Sequence, residues 1–374
     1  MNQAQKQAAF QNTQSDFVRI DDVTKTFAGL PAVRNVSIDI AKGELFALLG
    51  GSGCGKTTLL RMLAGFETPT SGRIFVDGKD MTDVPPYERP INMMFQSYAL
   101  FPHMSVEKNV AYGLKHEKMT DAQRKDRVRE MLSLVQLSDL GHRKPHQLSG
   151  GQRQRVALAR SLAKHPKVLL LDEPLGALDK KLREHTQFEI ANIQYKTGIT
   201  FVVVTHDQEE ALRLSDRIAV FSKGVIDQIG TGPELYANPA TRFVAEFIGD
   251  SNFLNGEIIS VDGNRVELKL GNGAHFGGVP IHGKARNGAP VSLMLRPERI
   301  DLTRTPQSNR PSIAGKVKDI TFLGNNTHVL VDGVANDPIA VRVPFGNPEL
   351  QGLSMGDDVM LHWKPETAHA FCGG

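Results

Sequence analysis

The chain contains 374 residues, of which 40% are hydrophobic and 23% are charged. At about 150 residues per domain this length predicts two or three domains, and the composition excludes a wholly disordered or fibrous protein. The net charge of +3 is too small to indicate nucleic-acid binding, and no apolar run reaches the roughly 18 residues of a membrane-spanning helix.

The amino-terminal segment, residues 1–16, is predicted to be a disordered tail. It is polar and rich in Gln, and it lacks the apolar stretch of a signal peptide. We therefore expect the chain to stay in the cytoplasm. Its two cysteines, Cys54 and Cys372, lie in opposite halves of the chain and indicate neither a disulfide framework nor a zinc site.

The pattern of apolar and polar residues changes near residue 250, and this change predicts two domains. Over residues 17–250, short apolar runs alternate with amphipathic stretches such as 120–137 and 152–164, which is typical of an α/β domain. Over residues 251–374, short alternating segments and glycine-containing turns indicate a small all-β barrel or sandwich. This second domain carries 12 basic and 12 acidic residues, so it lacks the basic surface of a nucleic-acid-binding barrel. We predict strands at residues 265–270, 291–295, 316–322, 327–331 and 359–363.

A glycine-rich loop over residues 50–57 follows the apolar run at 45–49 and matches the pattern GxxxxGK[ST]. Glycines let backbone N–H groups turn toward phosphate oxygens, and the helix that follows offers its positive end to the same anion. Lys56 is predicted to bind the β- and γ-phosphates and Thr57 a magnesium ion. The alternative is a glycine turn that only caps a helix, and the preceding strand argues against it. We interpret Cys54 as a small filler residue.

Two further apolar runs, 168–171 and 201–204, each end in polar residues. Parallel strands that are buried on both faces have this composition, and their carboxyl ends form the ligand crevice of open α/β sheets. After the first run, Asp172 is predicted to hold Mg²⁺ and Glu173 to activate the attacking water. After the second, His206 is predicted to bind the γ-phosphate. Alone, such residues are usually solvated or packed, and the phosphate loop favours the functional interpretation.

A second anion-binding element is predicted at Ser149, Gly150, Gly151 and Gln152, which precede an Arg-rich amphipathic helix. A serine cap followed by two glycines leaves a bare helix end lined with amide groups. An ordinary cap explains the serine but not the glycines. Two phosphate-binding elements on one domain predict that a nucleotide is sandwiched between two copies of the chain.

In their order, these motifs resemble those of the ATP-binding subunits of ATP-binding-cassette (ABC) transporters. The LSGGQ sequence between the phosphate loop and LLLDEP at residues 169–174 is specific to this family, and kinases and GTPases lack it. The resemblance implies an α/β fold, a P-loop NTPase cassette with a mixed sheet and a helical subdomain at about residues 98–165. The LRPE sequence at 295–298 resembles an element of the small all-β, OB-like TOBE domain, which would occupy residues 251–374.

The resemblance also implies the functional residues. Glu173 is the expected general base, with His206, Gln96 and Lys56 as the other catalytic groups. Magnesium is expected at Thr57, Gln96 and Asp172, and Asp179 belongs to the D-loop. Ser149, Gly150, Gly151 and Gln152 are expected to act on the ATP of a partner subunit. The nucleotide-binding residues are expected to be Phe27, Gly50, Ser52, Gly53, Cys54, Gly55, Lys56, Thr57 and Thr58. Phe27 stands where the family usually has Tyr, so it retains a stacking ring without a hydroxyl.

The implied cofactors are ATP and Mg²⁺, and the implied partners are a second copy, two transmembrane permease subunits and, indirectly, a periplasmic substrate-binding protein. The implied location is the cytoplasmic face of the inner membrane. Residues 85–115 and 143–184 are similar to the polyamine importers, and to their putrescine type in particular. The alternatives are an importer ATPase for iron(III), sugar or sulfate, a soluble ABC ATPase outside transport, and a regulatory binding module.

An apolar stretch after Gln96 is expected to contribute to a docking groove for the membrane subunit. It contains Tyr98, Leu100, Phe101, Pro102 and Met104. The alternative is that these side chains form the core of the helical subdomain. Burial of all five within the chain would exclude the groove.

Overall fold

A computed structural model describes residues 16–176, 180–271, 273–306, 312–335 and 337–372. The chain divides into two compact units, residues 1–232 and 233–374. Among the described residues, no helix combines the length and the apolar character needed to cross a membrane.

The first unit alternates strands and helices. Its strands are β1 (Val18–Phe27), β2 (Leu30–Ile40), β3 (Leu45–Gly50), β4 (Ser71–Val76), β5 (Lys79–Asp80), β6 (Ile91–Met94), β7 (Val168–Asp172), β8 (Thr200–Thr205), β9 (Arg217–Ser222) and β10 (Val225–Gly230). Its helices are α1 (Lys56–Ala64), α2 (Val106–Ala111), α3 (Asp121–Leu134), α4 (Gly150–Leu162), α5 (Lys180–Thr197) and α6 (Gln208–Leu214).

These strands form two sheets. An antiparallel sheet has the order β2-β1-β4-β5, and a second sheet has the order β10-β9-β3-β8-β7-β6. In the second sheet β10 is antiparallel to β9, and the other strands are parallel. The prediction of a mixed α/β architecture is therefore confirmed.

Strands β3, β7 and β8 are the three predicted apolar runs, and they lie side by side. Alternate residues of β8 belong to two different hydrophobic cores. Phe201 and Val203 pack among the helices. Val202 and Val204 pack with the antiparallel sheet. Burial on both faces explains why these runs are continuously apolar. Since the strands are parallel neighbours, the residues that follow them meet at one edge of the sheet.

Residues 98–165, all of which the structure describes, contain helices α2, α3 and α4 and no strand. Their apolar faces meet in a core that includes Val110, Met131 and Leu158. A capping box begins α3, where Thr120 accepts from the N–H of Gln123. The two helices predicted at 120–137 and 152–164 are thus confirmed with ends shifted by a few residues.

The second unit is a β domain preceded by two short helices. Its elements are α7 (Gly232–Ala237), which starts one residue before the division, α8 (Arg242–Phe247), β11 (Asn252–Asp262), β12 (Arg265–Leu270), β13 (His275–His282), β14 (Pro290–Leu295), β15 (Asp301–Thr303), β16 (Ser312–Phe322), β17 (Asn326–Asp332), β18 (Ile339–Pro344), β19 (Asp358–His362) and β20 (His369–Cys372). Strands β11, β12, β13, β20 and β14 close into a barrel. The other five form a sheet in the order β15-β19-β16-β17-β18.

The division into units lies before residue 250, where the sequence places the end of the first domain. The buried side chain of Arg296 gives a physical reason for the difference. Its guanidinium donates to the carbonyl oxygens of Tyr236, Ala245 and Asp250, which ties the two short helices to the β domain. The domain limits themselves stay a prediction.

Candidate active site

The phosphate loop connects β3 to α1 with the geometry of an anion site. Gly53 and Gly55 have φ values of 76° and 110°, a left-handed backbone that favours glycine. A Cβ at Gly55 would lie 2.4 Å from the carbonyl oxygen of Ala32, so a side chain there would clash. No side chain caps the start of α1. Its first amide groups therefore remain available to a phosphate.

Lys56 is buried, and its ammonium group turns back into the phosphate loop. Nζ donates to the carbonyl oxygens of Gly50 and Gly51, both at 2.8 Å, and lies 3.5 Å from the Cys54 sulfur. Ser52 and Thr57 are exposed, and Thr58 is partly buried. The loop thus presents exposed backbone above a buried cation. That combination suits the binding of a polyphosphate.

Glu173 joins two other predicted catalytic residues. Its Oε2 accepts a hydrogen bond from Gln96 Nε2 at 2.8 Å, and its Oε1 lies 3.1 Å from His206 Nδ1. The residue has a φ of 43°, and its backbone N–H donates to the Val204 carbonyl of the neighbouring strand. The carboxylate of this left-handed residue therefore lies between the other two side chains. Gln96, which only the family resemblance suggests in the sequence, thereby contacts the predicted base.

Asp172 and Thr57 form the other cluster at this edge. Their side-chain oxygens lie 3.5 Å apart. Burial raises the pKa of Asp172 above its ordinary value, and the charge of Glu173 raises it further. A cation would relieve that repulsion, and Mg²⁺ usually takes one or two carboxylates together with phosphate oxygens. The residues present therefore fit a magnesium ion bound with a nucleotide.

Among the described residues, Phe27 and the segment 149–152 form no hydrogen bond or ion pair with this cluster. Ser149 Oγ accepts from the N–H of Gln152, whose side chain accepts from the N–H of Ser149, so this pair forms a capping box at the start of α4. Gly150 is partly buried and Gly151 is fully buried. Phe27 is 44% exposed at the end of β1, with Lys25 Nζ 4.9 Å from its ring centroid. Asp179 lies outside the described residues.

Comparisons with known proteins show the family to which this chain belongs. The ABC transporter family model matches residues 33–176, and the TOBE domain model matches residues 293–371. The putrescine transport ATP-binding protein PotG of Escherichia coli strain K12 is 48% identical over 363 residues, which cover 96% of each chain. The spermidine/putrescine import ATP-binding protein PotA of Thermobifida fusca strain YX is 48% identical over 362 residues, or 95% of this chain and 94% of that one. This chain belongs to the ABC transporter ATP-binding proteins.

Solved cassettes share the fold of this ABC protein. The ATP-binding cassette MJ0796, in a dimeric post-hydrolysis state bound to ADP and Pi, is 32% identical with a TM-score of 0.51, covering 57% of this chain and 98% of that one. The protein cbiO1 from Clostridium perfringens, part of the ABC transporter complex cbiONQ, is 29% identical with a TM-score of 0.56, covering 60% and 92%. The chain is an ABC-type ATPase, as its sequence predicts, and carries a carboxyl-terminal TOBE domain.

The apolar stretch of the ABC cassette after Gln96 is neither wholly buried nor wholly exposed. Tyr98 is buried, Pro102 is exposed, and Leu100, Phe101 and Met104 are partly buried. Burial of all five would have excluded a docking groove, and it does not occur. That a membrane subunit binds there stays a prediction.

Sequence reasoning missed a network beside His206. Glu210 is 3% exposed, and its Oε2 accepts from Thr205 Oγ1 at 2.6 Å. Asp207 caps α6 by accepting from the N–H of Glu210, and it also binds Arg183 at 2.7 Å. The sequence signal that could have indicated this network is an acidic residue four positions after the candidate histidine, His206. Nothing in the sequence marks which of the two adjacent glutamates, Glu209 or Glu210, is buried.

Glu210→Gln is expected to flatten the dependence of stability on pH. Burial is the main cause that raises the pKa of Glu210 from 4.5 to about 7. Folding therefore favours the neutral form of Glu210. The stability that this residue contributes is complete below about pH 4.5 and is lost as the pH rises through about 7. The loss amounts to at most about 3.5 kcal/mol, since one pKa unit corresponds to about 1.4 kcal/mol. The glutamine variant should not show this loss.

Urea unfolding measured between acidic and mildly alkaline pH tests this expectation. Glu209→Gln, an exposed neighbour on the same helix, is the matched control and should follow the wild type. A Glu210→Gln variant whose unfolding free energy falls with pH as steeply as that of the wild type would contradict the assignment.

Proposed function

We propose that this chain hydrolyses MgATP to energise the import of a polyamine, putrescine in particular, through a membrane transporter. The observation that carries the hydrolytic part is the placement of Glu173 between Gln96 and His206 at the sheet edge that also holds the phosphate loop. The substrate rests on the names of the relatives, which import putrescine or spermidine and putrescine. Those names lend no support to iron(III), sugar or sulfate.

The phosphate loop binds the nucleotide in this proposal. Its backbone amides and the uncapped start of α1 contact phosphate oxygens, and Lys56 exchanges its bonds to Gly50 and Gly51 for the β- and γ-phosphates. Phe27 offers an exposed ring face to the adenine. The other nucleotide contacts are Ser52, Gly53, Cys54, Gly55, Thr57 and Thr58.

Thr57, Asp172 and the amide oxygen of Gln96 are the proposed magnesium ligands. Bound Mg²⁺ supplies charge neutralisation to the β- and γ-phosphates. Glu173 takes the proton of the attacking water, and it is oriented for this by the N–H of Gln96. His206 holds the other carboxylate oxygen and contacts the γ-phosphate when the nucleotide is present.

The proposal includes a head-to-tail dimer, in which Ser149 to Gln152 of one copy face the ATP of the other. In the capping box Ser149 Oγ is an acceptor, which leaves its hydroxyl hydrogen to donate to a phosphate oxygen. The dimeric state of a cassette that is 32% identical supports this arrangement. Asp179 takes the D-loop position in the proposed dimer.

We also propose the domain limits and the cellular setting. The nucleotide-binding domain covers residues 17–250, with a helical subdomain at about 98–165 that is supported by α2 to α4. The TOBE domain covers residues 251–374, and its family model matches within that range. Two permease subunits dock at the cytoplasmic face of the membrane, where the chain is peripheral, and a periplasmic binding protein acts indirectly.

Reconstitution tests the proposed function. The full chain would be assembled with its permease subunits in vesicles and supplied with binding protein, and ATP hydrolysis would be measured with putrescine, spermidine, ferric iron or maltose. We expect putrescine to stimulate hydrolysis most strongly, and Glu173→Gln to abolish the stimulation. Stimulation by iron or maltose alone would contradict the polyamine assignment but leave the ATPase intact. An absence of ATP hydrolysis under every condition would contradict both.

A further inference from the structure

The backbone immediately after Gln96 has an unusual conformation. Tyr98 and Ala99 have φ values of 60° and 42°, so two consecutive residues other than glycine are left-handed. Such residues prefer right-handed or extended backbone, and consecutive left-handed ones need the surrounding structure to hold them. Their conformation sets the direction in which the chain leaves Gln96. Whatever holds this turn therefore affects where the Gln96 amide lies.

One side chain holds both carbonyl groups of the turn. Arg160, near the end of α4, donates from Nη1 to the Ala99 oxygen at 2.7 Å and from Nη2 to the Tyr98 oxygen at 2.8 Å. Its guanidinium also lies 5.6 Å from the ring centroid of Phe101. The planar fork of an arginine matches two adjacent acceptors, and lysine cannot reproduce that geometry. Arg160 therefore acts as a clamp on the left-handed turn.

The turn and the preceding Gln96 contact the segment that follows β7 at two points. Gln96 Nε2 donates to Glu173 at 2.8 Å, and the Tyr98 hydroxyl lies 3.5 Å from the carbonyl oxygen of Pro174. The hydrogen bonds of Arg160 to Tyr98 and Ala99 therefore connect helix α4 to the turn beside these two contacts. A shift of the turn would move the Gln96 amide relative to the carboxylate of Glu173.

We propose that Arg160 is a positioning residue for ATP hydrolysis, which holds the left-handed turn so that Gln96 orients Glu173. This inference rests on the proposed hydrolytic role of Glu173. The competing explanation is that Arg160, which is partly buried, only stabilises the fold, as an arginine at a helix end commonly does. The chain contains a comparable arginine that separates the two explanations.

Arg127 is the matched control. It is buried, and it donates from Nε to the carbonyl oxygen of Ala163 and from Nη2 to that of Leu162, at the end of the same helix α4. Its hydrogen bonds and its ion pair with Glu130 do not involve residues 96–101. We expect Arg160→Lys to lower kcat about tenfold with the KM for ATP changed by less than about twofold, and Arg127→Lys to leave kcat near the wild-type value.

A rescue experiment tests the mechanism and does not depend on Arg160→Lys being fully stable. Glycine adopts left-handed backbone without a steric cost, so Ala99→Gly should reduce the need for the clamp. We expect Ala99→Gly to restore most of the lost kcat in the Arg160→Lys background, while Ala99→Gly alone keeps wild-type activity. A stabilising role remote from the turn predicts no rescue.

A double-mutant cycle with Gln96→Ala completes the test on the purified full chain. If Arg160 acts through Gln96, Arg160→Lys should lower kcat by less than about twofold once Gln96 is absent. Multiplicative effects of the two substitutions, an Arg160→Lys variant with wild-type kcat, or an equal loss in Arg127→Lys would each overturn the inference. In those outcomes wild-type hydrolysis would still support the proposed function. A wild-type chain without ATPase activity would overturn both.

Discussion

Glu173→Gln is expected to bind MgATP with nearly wild-type affinity and to lose turnover by about a hundredfold to ten-thousandfold. General-base catalysis contributes rate factors of about this size. The substitution is nearly isosteric, so the phosphate loop and the start of α1 remain intact. This variant should therefore keep nucleotide binding and lose hydrolysis, because the groups expected to bind phosphate are distinct from the group expected to take the proton.

The geometry explains why the amide cannot substitute for the carboxylate. In the wild type one oxygen of Glu173 accepts from Gln96 and the other contacts His206. A glutamine at this position has one acceptor oxygen and an NH₂ group, so it can replace only one of these acceptors. It also has no basicity toward water near neutral pH. The nucleotide should then remain bound, and a closed dimer should accumulate.

Single-turnover hydrolysis and nucleotide titration of the purified full chain measure the two effects separately, and size-exclusion chromatography with MgATP detects the dimer. Glu209→Gln is the matched control, because Glu209 is an exposed acid of α6 and is not among the predicted site residues. Lys56→Ala provides the opposite behaviour, a loss of nucleotide binding itself. Turnover at the wild-type rate in Glu173→Gln would contradict its role as the base.

The sequence predicts which residues lie at the sheet edge of the candidate site. It predicts less well which of their side chains are in contact. Burial on both faces makes β3, β7 and β8 continuously apolar, and a parallel sheet then aligns Lys56, Asp172 and His206. The contact between Gln96 and Glu173 has no such local signal. It depends on left-handed backbone at Tyr98 and Ala99, which their residue types disfavour, and on a distant arginine.

In the β domain, period-2 alternation predicts five strands, which correspond to β12, β14, β16, β17 and β19, whereas β11, β13, β15, β18 and β20 were missed. In β13, Gly277 and Gly278 indicate a turn, whereas the structure places them inside a strand that pairs with β12 and with β20 of the barrel. The register with β12 shifts at these glycines, and Gly278 has a φ of 76°, so they form an irregularity within the strand and do not end it. The LRPE motif marks the domain in the sequence, yet its pattern does not show that Arg296 is 2% exposed and bonded to residues 45 to 60 positions away.

Arg296→Met is expected to lower the free energy of unfolding of the second unit by about 3–5 kcal/mol, the usual cost of breaking a buried charged network. The guanidinium donates to Ser251 Oγ at 2.6 Å and to three backbone carbonyls, and it lies 4.2 Å from the ring centroid of Tyr236. Methionine keeps part of the volume but removes the guanidinium donor from the carbonyls of Tyr236 and Asp250, whereas Ala245 still accepts from Ser251 Oγ. The expected loss reflects a cost of about 1–3 kcal/mol for each buried acceptor left unpaired, unless water reaches it.

Arg299→Met, three residues further along, separates this effect from the loss of a positive charge, because Arg299 is exposed. Calorimetric unfolding of the full chain should show a transition at much lower temperature in Arg296→Met and an unchanged one in Arg299→Met. Since Arg296 joins α7 and α8 to the barrel within the second unit, proteolysis should also cut Arg296→Met between residues 237 and 251 first. Melting of Arg296→Met within about a degree of the wild type would show that water or rearranged side chains replace the guanidinium.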